Sequence, residues 1–474
     1  MKVVHVSFDC KPLTQTKEIA QTIRGEILAS KRKGIQTALM IPLFKELKDT
    51  LELTFIGNSY VTIGESEKYV GVLYGLIDDI ETIFIDNMEY FYLDKHEGYS
   101  NDGERMAFFS YACLEAFNVV NEYPDIIHIH DYQGGLIPHV LKAKYKYQDN
   151  YLNIRTILTI HNIKKQGTFP KSMEEILDID NSSILYCDNE VNFLKAAVVE
   201  ADFVTTTSKT FEIESRTKVV NDRLRFSLRS REDEYIGILN GIDYDYYNPA
   251  TDPTIYFNFD KKNFKKGKKE NKKAFKKEFG FEDKDCMLVG FSSDFTKDKG
   301  MELLMESLED LIVNTDVQFF FIGDGERKYI DFFEYLTHKY PTRFKVYIGY
   351  NKPISHKLYV SCDMILQPYL YEPYSAGQLI AMHYGTIPFV HEAGALKDVL
   401  VPYNHYTNEG NGFSFINHNK EDFLKVFDYA YGLYRFNDTI WNTLIKRCLE
   451  LDLSWDTVID KYIDLYDKAL ENNK

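Results

Sequence analysis

Cysteine is scarce in this chain of 474 residues. The six it has, Cys10, Cys113, Cys187, Cys286, Cys362 and Cys448, are scattered and never form a Cys-x-x-Cys pair, so free thiols in a reducing compartment are expected. Long apolar runs are missing too. No stretch approaches the roughly 20 residues needed to span a bilayer, and the first residues, Lys2-Val3-Val4-His5-Val6-Ser7-Phe8-Asp9, suit a buried strand better than a signal peptide. A cytoplasmic protein is the expectation. Positive charge is in deficit, with 56 Lys and Arg against 72 Asp and Glu and a net charge of −16. That balance repels nucleic acid and anionic membranes, so neither is expected as a partner. One segment runs the other way, since 261–277 holds ten lysines and one acidic residue. It reads as a solvated helix face after a linker rather than a polyanion site.

What is present is a soluble, globular composition, 44% hydrophobic and 27% charged, in a chain too long for one ordinary core. Short β-branched or aromatic runs alternate with longer helical patterns, the sign of parallel sheets wrapped by helices. Candidate strands are 3–7, 36–41, 126–130, 156–160 and 203–207 in the first half. The second half repeats the series with 287–291, 317–322, 345–348, 364–367 and 387–390. The loop-like Asn248–Pro253 separates them. Two doubly wound Rossmann-like α/β domains facing each other across a cleft are expected, because the carboxyl ends of such strands are where ligands bind.

Several short motifs fall on those strand ends. They are His128-Ile129-His130-Asp131, Thr159-Ile160-His161-Asn162, Gly237-Ile238-Leu239-Asn240-Gly241-Ile242-Asp243, Lys299-Gly300, and Glu372-Pro373-Tyr374-Ser375-Ala376-Gly377-Gln378. In this order and spacing, with Tyr384-Gly385-Thr386-Ile387-Pro388 after them, the chain resembles bacterial glycogen synthases and plant starch synthases over nearly its whole length. The resemblance implies the GT-B fold. Its domains would be 1–247 on the acceptor side and 248–454 on the nucleotide-sugar side, with a helix over 455–474 crossing back to the first. It also implies retaining transfer of glucose from ADP-glucose, or from UDP-glucose, to an α-1,4-glucan, with no cofactor and no metal. By position, Lys299 matches the family's diphosphate-binding lysine. Glu372 matches the glutamate that contacts the donor glucose, and His161 the histidine beside the donor sugar. Asp131 is the candidate on the neighbouring strand, and Asn240 lies near the hinge. Ser375, Ala376 and Gly377 lead into a helix, whose unpaired N–H groups make a ready anion site. His128 and His130 alternate with Ile129, and a metal site there lacks a third ligand at suitable spacing.

The resemblance breaks on the donor side. The family's Lys-x-Gly-Gly-Leu loop is here Gln15-Thr16-Lys17-Glu18-Ile19, so a lysine is missing and Glu18 replaces a glycine that allows close backbone approach. Gln21 stands in place of an aspartate. The family's Ser-Arg-x-x-x-x-Lys-Gly reads Ser293-Asp294-Phe295-Thr296-Lys297-Asp298-Lys299-Gly300, and Tyr374 adds bulk in the phosphate loop. Exchanging arginine for Asp294 removes one attraction and adds one repulsion. At ~5 Å and an effective dielectric near ~20 each charge is worth roughly 3 kcal/mol, so the pair sets an upper limit of about four powers of ten in rate. Two alternatives therefore stand beside the synthase reading. One is an impaired or inactive glucan-binding or regulatory relative, and the other is a transferase with a different sugar donor.

Overall fold

The computed structural model describes residues 1–14, 18–177 and 184–471. The chain divides into two compact units, Met1–Gly241 with Trp455–Lys474, and Ile242–Ser454. The break falls before Ile242, not after Tyr247. Ile242 donates its N–H to Leu453 O at 2.9 Å and forms a parallel bridge with Ser454. The Tyr244 hydroxyl accepts from Leu453 N–H at 2.8 Å and donates to Leu451 O. These bonds tie the residues after Gly241 to the second unit.

In the first unit seven parallel strands run in the order Tyr235–Gly237, Phe203–Thr206, Arg155–Ile160, Ile126–His130, Lys2–Val6, Gln36–Pro42 and Ile80–Asp86, and Ser66–Ile77 and Thr54–Ile63 add two antiparallel strands at the edge. The antiparallel pair is absent from the sequence expectation. Thr54–Ile63 is exposed along most of its length, whereas Val70, Gly71 and Val72 of Ser66–Ile77 are buried. Helix Glu18–Arg32 and the last helix, Trp455–Glu471, pack together beside the parallel strands. Trp455, Ile459, Tyr462 and Tyr466 meet Val3, Ile126, Ile157 and Phe203 in one buried cluster. Gly25 is required there, because a Cβ on it would lie 2.2 Å from the Trp455 ring.

The second unit holds six parallel strands in the order Phe344–Ile348, Gln318–Gly323, Leu288–Ser292, Met364–Gln367, Ile387–His391 and Phe413–Phe415. The chain therefore builds outward in one direction from Leu288–Ser292 and then returns to build the other side from Met364–Gln367. Ligands bind at such a reversal, because the loops leaving the two central strands diverge there.

The lysine run forms helix Phe264–Glu278 with the expected solvated face, since seven of its ten lysines are exposed, but Lys268, Lys272 and Lys276, spaced one turn apart, point inward. Lys268 Nζ donates to Cys362 O at 2.7 Å and Thr386 Oγ1 at 2.6 Å, Lys272 pairs with Asp363 at 2.6 Å, and Lys276 bonds Lys284 O. Long stems cover the sheet while each head finds an acceptor.

The segment Asn248–Pro253 is pinned by Asp252, which is 2% exposed. Its Oδ2 lies 2.6 Å from both His356 Nδ1 and the Tyr384 hydroxyl, and its Oδ1 accepts from Thr254 Oγ1 at 2.7 Å. Burial raises this carboxyl's pKa, but the bonds from His356, Thr254 and Tyr384 outweigh it and hold the group well below the usual carboxylate range. A depressed carboxylate stabilises the fold fully above its unfolded pKa of ~3.9, and that contribution is lost as pH falls through the folded value. Asp252→Asn is thus expected to cost about 2–4 kcal/mol at neutral pH. Thermal melts should show the gap to wild type closing below about pH 4.

No described helix is long and apolar enough to cross a membrane. All six cysteines are free thiols.

Candidate functional site

In the first unit the candidate residues gather at the carboxyl ends of two neighbouring strands, Ile126–His130 and Arg155–Ile160, whose register pairs His130 with Thr159. Asp131 turns the chain sharply there with φ 59°. Its N–H donates to Thr159 O at 3.0 Å, and its Oδ1 accepts from the N–H of His161 at 2.8 Å and of Asn162 at 3.3 Å. Asp131 therefore fixes the turn that presents His161. The His161 ring is 7% exposed and its Nε2 lies 3.0 Å from His130 Nδ1. Burial pushes its pKa down to about 3, helped by His128, so it stands as a neutral imidazole at physiological pH. Such a ring donates and accepts hydrogen bonds but is no general acid.

Asp131→Ala should free the His161 turn and lower turnover about tenfold to a hundredfold, the effect of losing the two hydrogen bonds that hold it. Asp131→Asn keeps the accepting oxygen and should retain most of the activity. Steady-state rates of the two variants separate a turn-holding carbonyl oxygen from a required charge.

Asn240 follows the edge strand Tyr235–Gly237 in the same unit. It is 1% exposed, and neither its Oδ1 nor its Nδ2 has a hydrogen-bond partner among the described residues. A buried amide with both ends open is costly unless something bonds it, which makes it a candidate ligand contact. Gln21 lies half-buried on helix Glu18–Arg32. Gln15, Lys17 and the side chain of Glu18 lie outside the described residues.

In the second unit the site forms at the strand reversal. The loop after Leu288–Ser292 carries Asp294 and a tight turn, Lys297–Lys299, before helix Met301–Asn314. Gly300 has φ 75°, and a Cβ there would lie 2.0 Å from Pro368 O, so only glycine allows this loop to touch the one after Met364–Gln367. Leu370 N–H donates to Asp298 O at 2.8 Å across the same seam. The Lys299 ammonium is thereby set 4.4 Å above the Tyr369 ring and 2.5 Å from Glu372 Oε2.

Glu372 is 7% exposed and accepts the Tyr374 N–H at 3.2 Å on its other oxygen. Burial raises its pKa against the opposing pull of Lys299, and Asp294 pushes it further up. Asp294 itself is exposed, and its carboxylate still acts on this pair. Ser375 sits at the start of helix Ala376–His383 with its Oγ buried and without a hydrogen-bond partner among the described residues. Ala376 and Gly377 form the first turn, where N–H groups lack intrahelical acceptors. Tyr374 is half-buried beside it.

The structure thus brings Asp131 to His161 in one unit and Lys299 to Glu372 in the other. Tyr369, His5 and Glu26 escaped the sequence reading. Glu26 had a signal, since it interrupts the apolar stripe of Ala20, Ile23 and Ile27 on its helix.

The sequence profile of the starch synthase catalytic domain matches residues 2–229, and that of glycosyl transferases group 1 matches 271–433. Over 478 residues the chain is 35% identical to a glycogen synthase of Clostridium kluyveri, covering 99% of this chain and 100% of that protein. It is also 35% identical to a glycogen synthase of Acholeplasma laidlawii, with 98% of each covered. Among solved structures, the catalytic domain of starch synthase IV from Arabidopsis thaliana bound to ADP and acarbose superposes with a TM-score of 0.89 at 26% identity, over 99% of both chains.

Proposed function

The chain belongs to the glycogen synthase family, with its two Rossmann-like domains in the GT-B fold, and from that premise we propose that it extends an α-1,4-glucan with glucose from ADP-glucose, with retention. The bond from the glucose anomeric carbon to the diphosphate breaks and its electron pair leaves on the phosphate oxygen, while the hydroxyl oxygen at the glucan's non-reducing end bonds the anomeric carbon and its proton passes to the departing phosphate. The chief physical demand is stabilisation of the charge growing on the departing diphosphate.

Lys299 meets that demand as a cation, assisted by the free N–H groups at Ala376 and Gly377 and by the Ser375 hydroxyl. Glu372 positions the donor glucose. On the first unit, the neutral His161 and the open amide of Asn240 bond sugar hydroxyls, and Asp131 holds His161 in place. The observation that carries this reading is the Lys299–Glu372 pair, 2.5 Å apart at the strand reversal of the second sheet. Free thiols and a net negative charge suit a reducing, cytoplasmic setting.

The test is nucleotide release from ADP-glucose and UDP-glucose, with and without glycogen, at high protein concentration. Glycogen-dependent ADP release is expected. Silence with both donors from protein that still co-sediments with glycogen would move the non-catalytic reading to first place, and release from another donor alone would favour a changed specificity.

A further inference from the structure

A second constellation lies inside the first unit, beneath His161. His5 in strand Lys2–Val6, His128 and His130 in strand Ile126–His130, and Glu26 in helix Glu18–Arg32 are all between 0% and 1% exposed. One donor atom from each lies within 4.8 Å of the other three. The sequence offered only the His128 and His130 pair. The fold supplies two more ligands from elements distant in the chain.

His5 Nδ1 and His130 Nε2 are 3.1 Å apart, and His128 Nδ1 and Glu26 Oε1 are also 3.1 Å apart, with the Tyr466 hydroxyl 2.8 Å from His128 Nδ1 and donating to Glu26 Oε1 at 3.3 Å. Two ligands of one tetrahedral ion at ~2.0–2.1 Å stand at about that separation. The remaining nitrogens of the two strand histidines already have outer partners, as ligating imidazoles require. His128 Nε2 lies 2.6 Å from Thr159 Oγ1, which is itself 2.6 Å from Thr205 Oγ1, and His130 Nδ1 lies 3.0 Å from His161 Nε2.

Glu26 Oε2 and His5 Nε2, the other polar atoms of these two side chains, are buried without a hydrogen-bond partner among the described residues. Among the described residues no lysine or arginine pairs with Glu26, whose neighbours are His128 Nδ1 and the Tyr466 hydroxyl. A cation beside it would compensate this buried carboxyl group.

We propose that His5, Glu26, His128 and His130 form a structural binding site for a divalent transition-metal ion, with zinc the best match. Three imidazole nitrogens and one carboxylate oxygen are a tetrahedral ligand set for that ion, and two positive charges compensate the one buried anion. The set is complete without water, which makes the site structural. The ion cross-links the first strand, the Ile126–His130 strand and helix Glu18–Arg32. It also fixes a tautomer: with His130 Nε2 on the metal, the proton sits on Nδ1 and is donated to His161 Nε2. The ion would then hold His161 in one orientation without touching substrate.

The full chain, denatured in chelator and refolded with zinc, is expected to retain about one zinc per chain after dialysis. Zinc-edge X-ray absorption should report four light-atom neighbours, three of them imidazole. Cobalt in its place should give the intense visible bands of a tetrahedral ion. Glu26→Gln keeps shape and loses the charge, and it should weaken zinc binding by more than the 10–100-fold that outer-shell changes cost. Zinc should also raise the melting temperature of wild type and not of the variant. The proposal is overturned if refolded wild type holds no stoichiometric zinc or cobalt, if its absorption spectrum lacks the histidine signature, or if Glu26→Gln binds as tightly as wild type. Should Glu26→Gln fail to fold, the wild-type spectra decide alone.

Discussion

Replacing Lys299 by alanine should lower kcat/KM for ADP-glucose by about three powers of ten. Removal of a single fixed group that faces developing negative charge costs about 10²–10³ in rate, and here the loss is compounded at the neighbouring glutamate. Lys299 is the largest influence keeping Glu372 ionised against its burial, and Asp294 works in the opposite direction. Without the ammonium, Glu372 is driven toward the neutral acid, which no longer accepts two hydrogen bonds from a sugar. Lys299→Arg should recover part of the rate, because charge is retained while the point contact 2.5 Å from Glu372 is not reproduced. Stability and chemistry separate in the double variant Lys299→Ala with Glu372→Ala. Leaving one buried partner alone is what destabilises, so the double variant should melt closer to wild type than Lys299→Ala does, yet stay inactive. Steady-state ADP release and thermal melts read the two effects. A Lys299→Ala rate within tenfold of wild type would remove this lysine from the donor site.

The parallel sheets were legible because strands such as Ile126–His130 and Gln318–Gly323 are short, buried on both faces and rich in β-branched and aromatic residues. The strand-end motifs then place His161 and Glu372 by topology alone. Other features have no local signature. Lys268 is buried because Thr386 and the Cys362 carbonyl face it, and those partners are far away in sequence. The hairpin Thr54–Ile63 and Ser66–Ile77 is missing from the expected strands, and its first strand is exposed along most of its length. Asp131 was legible as a candidate at a strand end but not as a holder of the His161 turn, which depends on a left-handed φ that the sequence does not announce. The convergence of His5 and Glu26 on the strand histidines is likewise a product of the fold. Histidine and glutamate in apolar stripes were the only hints.

Asp294→Arg should make the protein a faster synthase, raising kcat/KM for ADP-glucose roughly tenfold to a hundredfold. The upper limit of about four powers of ten assumes a carboxylate fixed near the diphosphate at low effective dielectric. Asp294 is exposed instead, so water and salt screen much of that repulsion. It is still close enough to disfavour ionised Glu372, and so it acts on the pair proposed to bind the donor. An arginine there reverses both effects. It attracts the departing diphosphate bidentately and helps hold Glu372 as a carboxylate. Asp294→Asn removes the repulsion without adding attraction and should give about half of the gain on a logarithmic scale. Both gains should shrink as ionic strength rises, which distinguishes an electrostatic cause from repacking of the loop. Binding to glycogen should be unchanged, because the substitution touches the donor side only. A faster Asp294→Arg would tie the divergence of this site to one charge. A variant no faster than wild type, with Lys299→Ala inactive, would mean that the loop carrying Asp294 holds its carboxylate away from the diphosphate, so that this departure from the family pattern costs the enzyme nothing.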